Sequence, residues 1–431
     1  MVAQTETPVH LSRAPEKQSL VDAFVGKPLE GLRTPAMVID RKLFSQNCAR
    51  MHKKARDWGA TFRAHLKTHK TAEGTRLQLN SEGDRTHAVV VSTMMEAWKV
   101  VESGLVQDGT VKDILYGLPV PVNKIADLSL LWNQIKEHGG VVRLLVDHPD
   151  QISLLEDFES KQEIAQQWSV FVKVNGGQNR AGVIPGSEGF SALLDKILKS
   201  PAISLYGFYG HAGNSYASTS LPEASAFLSK EVQDVNLAAG HALEAISRLG
   251  KEAAVTQPFV LSVGSTPTAH AASAEARNLL SQVLHGVLEL HAGNYPLLDL
   301  QQQHTSLIDS AQISQHVRAT VVSYYPGRGG NGRDEALIDA GAIAFSKDTG
   351  PSGIFGEVVG LPWTLSRISQ EHGILISKET NPNPLKLGST VSIIGQHACL
   401  IAAAYPWYYV VDSDIEGGQQ VVDVWVPWKG W

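Results

Sequence analysis

The chain has 431 residues, 43% of them hydrophobic and 19% charged, with a net charge of −6 and two cysteines, Cys48 and Cys399. This is the composition of a water-soluble globular protein long enough for two domains. It argues against a disulfide framework and a basic nucleic-acid or membrane-binding surface, and no apolar run is long enough to span a bilayer, so a cytosolic (cytoplasmic) protein is expected.

Residues 1–33 are polar and irregular and read as an N-terminal extension. Met1-Val-Ala-Gln-Thr-Glu-Thr7 lacks the basic-then-apolar pattern of a secretion signal. From Ala36 onward, short β-branched runs alternate with helix-like stretches, the signature of repeated βα units. Strands are expected at Ala60–Leu66, His87–Val91, Asp113–Tyr116, Val141–Val146, Ser169–Val174, Ile203–Phe208, Phe259–Ser262 and Gly286–Leu290. Eight strands with helices between them, Glu223–Leu249 being the longest, predict an α/β fold: a closed (β/α)8 TIM-like barrel over 34–309. After Asp309 the helical patterns thin out. Strands expected at Val317–Tyr325, Glu335–Asp339, Ile374–Ile376, Thr390–Ile394 and Tyr408–Val411, with Gly- and Pro-rich turns between them, predict an all-β domain over 310–431.

The decapeptide Thr61-Phe-Arg-Ala-His-Leu-Lys-Thr-His-Lys70 reads as a strand with Arg63, His65 and Lys67 on one face and Phe62, Ala64 and Leu66 on the other. Lysine is usually exposed, so this stretch taken alone reads as a solvated edge strand. A buried lysine instead loses its proton and becomes a nucleophile toward an aldehyde cofactor. Active sites of such barrels lie at the C-terminal strand ends, and the polar, Gly-rich segments of this chain sit there. They are Asn175-Gly-Gly-Gln-Asn-Arg180, Tyr209-Gly-His211, Gly264-Ser265-Thr266 and Gly293-Asn294.

The last two follow strands seven and eight, where these barrels bind phosphate. Gly264 and Gly293 admit close backbone approach to an anion, Ser265 and Thr266 add hydroxyl donors, and a helix starting near Thr268 adds its dipole. By itself such a turn is more often a plain capped loop. Arg180 can fix a phenolate or carboxylate, and His211 can stack or donate, although single residues of these types are more often a surface cation and a structural histidine. In the second domain, His397-Ala-Cys399 puts an imidazole and a thiol on one face if the run from Ile393 stays extended. These are preferred zinc ligands, and two of them leave coordination positions open, as a catalytic metal needs. By spacing alone, a buried Cys beside a buried His is the commoner case.

Arg63-Ala-His-Leu-Lys-Thr-His-Lys70 resembles the Arg-Pro-His-x-Lys-Thr-His-Lys signature of the eukaryotic-type D-serine dehydratases and their D-threonine aldolase relatives. These are pyridoxal-phosphate enzymes of the alanine-racemase-like class. Asn175–Gly182, Tyr209-Gly-His211, Val263–Thr268, Glu289–Tyr295 and Glu371-His-Gly373 resemble further motifs of that family in the same order, so the resemblance runs from about Thr34 to Asp412. It implies a barrel holding pyridoxal 5'-phosphate with a β-domain facing it, and Lys67 as the covalent attachment point and the base. It places Gly264, Ser265, Thr266, Gly293 and Asn294 around the phosphate, and Arg180, Tyr209 and His211 around the ring. It implies Zn²⁺ on His397 and Cys399, because the aldolases resemble His-x-Asp with a manganese-type ion.

The implied activity is that of a D-serine ammonia-lyase, turning D-serine into pyruvate and ammonia and acting on D-threonine as well. The partners implied are a small D-amino acid and a second copy of the chain in a homodimer. The alternatives are a D-threonine aldolase, and a non-catalytic pyridoxal-phosphate-binding protein resembling the barrel alone. A racemase needs a second base on the opposite face, and none is identifiable. Ala64 stands where proline is usual, and Gly395-Gln396 and Leu400 stand where relatives have Pro-Asn and Pro, which keeps the ligands and alters their surroundings.

Overall fold

Val89, Val90 and Val91 are fully buried, which is what a strand covered on both faces requires and why it reads as an unbroken apolar run. The computed structural model describes residues 3–252, 257–278 and 283–431. In it the eight expected runs become the parallel strands Thr61–His65, Ala88–Val91, Asp113–Pro119, Val141–Val146, Trp168–Lys173, Ile203–Tyr209, Phe259–Val263 and Gly286–Ala292. They pair in chain order and close when the eighth meets the first, with Ala292 opposite Ala64. The longest helix runs over Leu221–Arg248, and Gly250 follows it at φ +63°, a left-handed position that favours glycine.

One set of side chains, including Val90, Leu115, Leu145, Phe171 and Tyr209, clusters apart from the main core that joins strands and helices. With them lies Arg63, which is fully buried and not on a solvated edge. Its Nη1 donates to Asp113 Oδ1 at 2.7 Å and its Nε to Glu289 Oε1 at 2.9 Å. Arg143 Nε binds the other Asp113 oxygen at 2.7 Å. Burial opposes ionisation of Asp113, but Arg63 and Arg143 hold its carboxyl below the usual range. Removing one partner leaves buried charges uncompensated, so Arg63→Met is expected to destabilise the fold by about 3–5 kcal/mol. A denaturant midpoint unchanged from the parent would contradict this role.

The second domain is built on the bent strand Gln315–Tyr325. It pairs at one end with Thr390–Gly395 and, past an irregularity at Val321/Ser323, with Glu335–Ile338 at the other. Gly356–Val358, Trp363–Ile368 and Gly373–Ser377 complete an antiparallel ring. Three departures from expectation stand out. The strand Ala36–Asp40, counted with the barrel when that unit was taken to start at 34, belongs to the second sheet. It lies antiparallel to Gln315–Tyr325 and parallel to Tyr408–Val411. Residues 1–33 are not wholly irregular: Lys17–Phe24 is a helix capped by the Glu16 carboxylate. Lastly, the run from Thr390 does not stay extended to Cys399. It stops at Gly395, and Ala398–Ala404 is a helix with His397 at its N-cap.

Candidate active site

The first barrel strand ends at His65, and Lys67 follows it at the mouth, half-buried. Lys67 lines a cavity of about 380 Å³ together with Gln178, Arg180, His211, Tyr216 and Asn294 from the barrel. His397 and Cys399 from the second domain line the same cavity, so the helix that replaced the expected strand still brings both residues to Lys67. Their chemistry is coupled. Burial opposes protonation of His397, but Cys399 and Asp348 raise it to about 9. Burial also opposes ionisation of Cys399, yet His397, with Lys67 and Thr68, holds the thiol below its usual range. Asp348 Oδ2 sits 2.7 Å from His397 Nδ1, and Thr68 Oγ1 lies 3.0 Å from Cys399 Sγ.

Tyr209 stacks on His291 with ring centroids 4.2 Å apart and planes 7° from parallel. His291 Nε2 lies 2.9 Å from the Gly210 carbonyl, which only accepts, so Nε2 carries the hydrogen and Tyr209 Oη donates to Nδ1 at 3.2 Å. Burial pushes His291 down to about 3, which keeps it neutral. His211 donates from Nδ1 to the Gly264 carbonyl at 2.7 Å, and burial holds it well below its ordinary range. Its Nε2 is thereby left as an acceptor.

Gly264, Ser265, Thr266, Gly293 and Asn294 converge at the ends of strands seven and eight, and all are buried. Gly264 has φ +144°, and a Cβ there would stand 2.1 Å from the His291 carbonyl oxygen, so only glycine fits. Ser265 caps the short helix Thr266–Ala271, which begins two residues before the expected Thr268. Asn294 N–H donates to Thr266 Oγ1 at 3.2 Å, and its side-chain amide donates to Asp299 at 2.6 Å, leaving its Oδ1 buried and unpartnered. Of the five, Asn294 lines the cavity.

Other parts of the motifs serve the scaffold. His69 is fully buried, donating to Gln78 Oε1 at 2.8 Å and accepting from Thr71 N–H at 3.1 Å. Lys70 pairs with the buried Glu96 at 3.0 Å. Glu371 and His372 are exposed in the turn before Gly373 and do not line the cavity.

Sequence reasoning assigned no role to Asp348, Thr68, Lys173 or Glu231. Lys173 ends the fifth strand inside the apolar run Ser169–Val174, with Nζ 4.6 Å above the Tyr209 ring. Burial, with Arg180, pulls its ammonium down to about 7. Glu231 accepts from Ala212 N–H at 2.5 Å, and burial pushes its carboxyl up to about 7. The signal for Lys173 was legible as a lysine in an otherwise continuous apolar strand. Asp348 and Glu231 sit in ordinary polar surroundings in the sequence.

A barrel carrying a lysine at its mouth and faced by a β-domain defines the alanine-racemase-like class. The family model "Alanine racemase, N-terminal domain" matches residues 39–283, and "Putative serine dehydratase domain" matches 314–411. The chain is 44% identical to the D-serine dehydratase of Schizosaccharomyces pombe over 96% of each chain. It is 34% identical to that of Saccharomyces cerevisiae over 96% of this chain and 99% of that one. Among solved structures, D-threo-3-hydroxyaspartate dehydratase from Delftia sp. HT23 superposes with a TM-score of 0.75 at 27% identity, covering 94% of this chain and 100% of that one. The chain belongs to the D-serine dehydratase family and is a lyase. Membership implies dependence on pyridoxal 5'-phosphate.

Proposed function

We propose that this protein eliminates water from D-serine to give pyruvate and ammonia, with pyridoxal phosphate on Lys67 and zinc on His397 and Cys399. The observation that carries the reading is that Lys67 and the His397–Cys399 pair, from different domains, line one cavity.

The residues present fit both groups. Lys67 and Arg180 both line the cavity, and neither makes an ion pair with a carboxylate among the described residues, which suits an anionic cofactor and a substrate carboxylate. Asp348 on Nδ1 of His397 leaves Nε2 to face a metal, the carboxylate–histidine arrangement common around zinc. Imidazole and thiolate are preferred zinc ligands, and a pair of them leaves coordination positions open, as a catalytic metal needs.

Pyridoxal phosphate, when bound, supplies the electron sink that acidifies the α-carbon. Zinc on His397 and Cys399 would supply Lewis acidity toward the β-hydroxyl, a poor leaving group. The chain's own part is proton handling and placement. The Lys67 amine takes the α-proton. Asp348 fixes the ring of His397, and Thr68 fixes the thiolate of Cys399. Neutral His291, with both nitrogens satisfied, backs Tyr209 without competing for protons. His211 presents an unprotonated Nε2 to the cavity, and Arg180 holds the anion. Loss of the α-proton and β-hydroxyl leaves an enamine, which water converts to pyruvate and ammonia. Activity on D-threonine, a homodimeric state and a cytosolic location belong to the same proposal.

Cys399 favours this reading over Cα–Cβ cleavage, since the aldolases resemble His-x-Asp at this position. Incubation of the purified protein with D-serine and with D-threonine separates the two. A 2-oxo acid and ammonia are expected from both, whereas glycine and an aldehyde from D-threonine would overturn the assignment. Asp348→Asn is expected to weaken zinc binding by about 10-fold or more, read by competition with a chromophoric chelator. Unchanged affinity would remove Asp348 from the scheme.

A further inference from the structure

The helix Ala398–Ala404, which bears Cys399 in its first turn, has seven residues and cannot hold its position unaided. Its N-terminal end is tied to the barrel, because Ala398 N–H donates to the buried Asp299 carboxylate at 2.8 Å. At its C-terminal end, Lys429 Nζ donates to the carbonyls of Ala402 at 2.9 Å and Ala403 at 2.7 Å. Tyr408 Oη also donates to Ala402 O, at 3.1 Å. A carboxylate at the start and an ammonium at the end complement the helix dipole and the carbonyls the helix leaves open.

Lys429 is tied in turn to the other wall of the cavity. The adjacent residue, Trp428, is buried and donates its backbone N–H to the Lys70 carbonyl at 2.7 Å, three residues beyond Lys67. Lys70 adopts φ +52° and pairs with Glu96. Two consecutive residues thus hold the two sides of the site, Trp428 the loop that follows Lys67 and Lys429 the helix that carries Cys399. Each grips backbone, so the link does not depend on the side chains at 70, 402 or 403.

We infer that Lys429 is a positioning residue that sets the His397–Cys399 helix relative to Lys67. The inference rests on the metal and lysine roles proposed above. It asks more of Lys429 than helix capping: a simple cap would cost stability and leave the folded site unchanged.

The test uses the holoenzyme with Lys429→Met and Lys429→Arg, and three readouts: zinc affinity by chelator competition, kcat and KM for D-serine, and the rate at which a thiol reagent modifies Cys399 in zinc-stripped protein. Cys48 is fully buried and contributes no fast phase. Lys429→Met is expected to keep the absorbance of the lysine-bound cofactor, to lose about 10-fold in zinc affinity, to fall in kcat more than KM changes, and to modify at an altered rate. Lys429→Arg is expected to recover most of each. A folded Lys429→Met protein with parental zinc affinity, kcat and thiol reactivity overturns the inference. If the parent binds no zinc, the proposed metal role fails separately, and the thiol rate alone decides the matter: unchanged reactivity rejects positioning and changed reactivity supports it. Should Lys429→Met not fold, Tyr408→Phe, which removes the other side-chain tie to Ala402, is expected to shift the same readouts in the same direction by a smaller factor. No shift in any of them would reject the inference.

Discussion

Lys67→Ala is expected to lower pyruvate formation from D-serine by about 10³-fold or more while leaving the fold intact. The size follows from the two roles proposed for one amine, holding the cofactor and taking the α-proton. The tolerance follows from its setting. Lys67 is half-buried just past a strand end and makes no ion pair with a carboxylate among the described residues, so truncation strands no buried carboxylate. The visible absorbance of lysine-bound cofactor should vanish in the variant even when pyridoxal phosphate is supplied in excess. Persistence of that absorbance would move the attachment point to another residue. The near-neutral buried Lys173 would then be the next candidate.

Cys399→Ala is expected to lower the same rate by about 10²-fold or more, with cofactor absorbance unchanged. Hydroxide leaves poorly, and the cofactor acts on the α-carbon and not on the oxygen. In the proposed scheme the metal acts at this second bond, and removing the thiolate would leave His397 as the remaining protein ligand of the pair. Zinc content measured after gel filtration should fall in parallel. A Cys399→Ala protein that turns over D-serine at the parental rate would show that elimination proceeds without the pair.

The barrel was legible because strands covered on both faces carry continuous apolar runs such as Val89–Val91 and Val170–Val172. The allocation of Ala36–Asp40 to the second sheet was not legible, since strand periodicity says nothing about which sheet accepts a strand. Gly356–Val358 and Asp423–Trp425 have three residues each, too few to show a period. The helix at Ala398–Ala404 had a signal in its own alanines, but His397 is not a favoured N-cap and nothing before it marks a helix start.

At the site, Lys67, Arg180, His211, Asn294, His397 and Cys399 were named from sequence and share the cavity. The residues that orient them were not named. Asp348, Asp299 and Lys429 act through contacts spanning 49, 99 and 27 positions, and no local pattern encodes such contacts. Arg63 was read correctly as strand-borne, but its burial could not be seen without its partners Asp113 and Glu289.

The proposed joint dependence on lysine-bound cofactor and metal is tested most directly by treating the protein with a zinc chelator and assaying pyruvate from D-serine before and after addition of zinc. The expected result is loss of pyruvate formation with cofactor absorbance retained, and recovery on adding zinc alone. Full activity in protein shown to be free of zinc would contradict the assignment of His397 and Cys399.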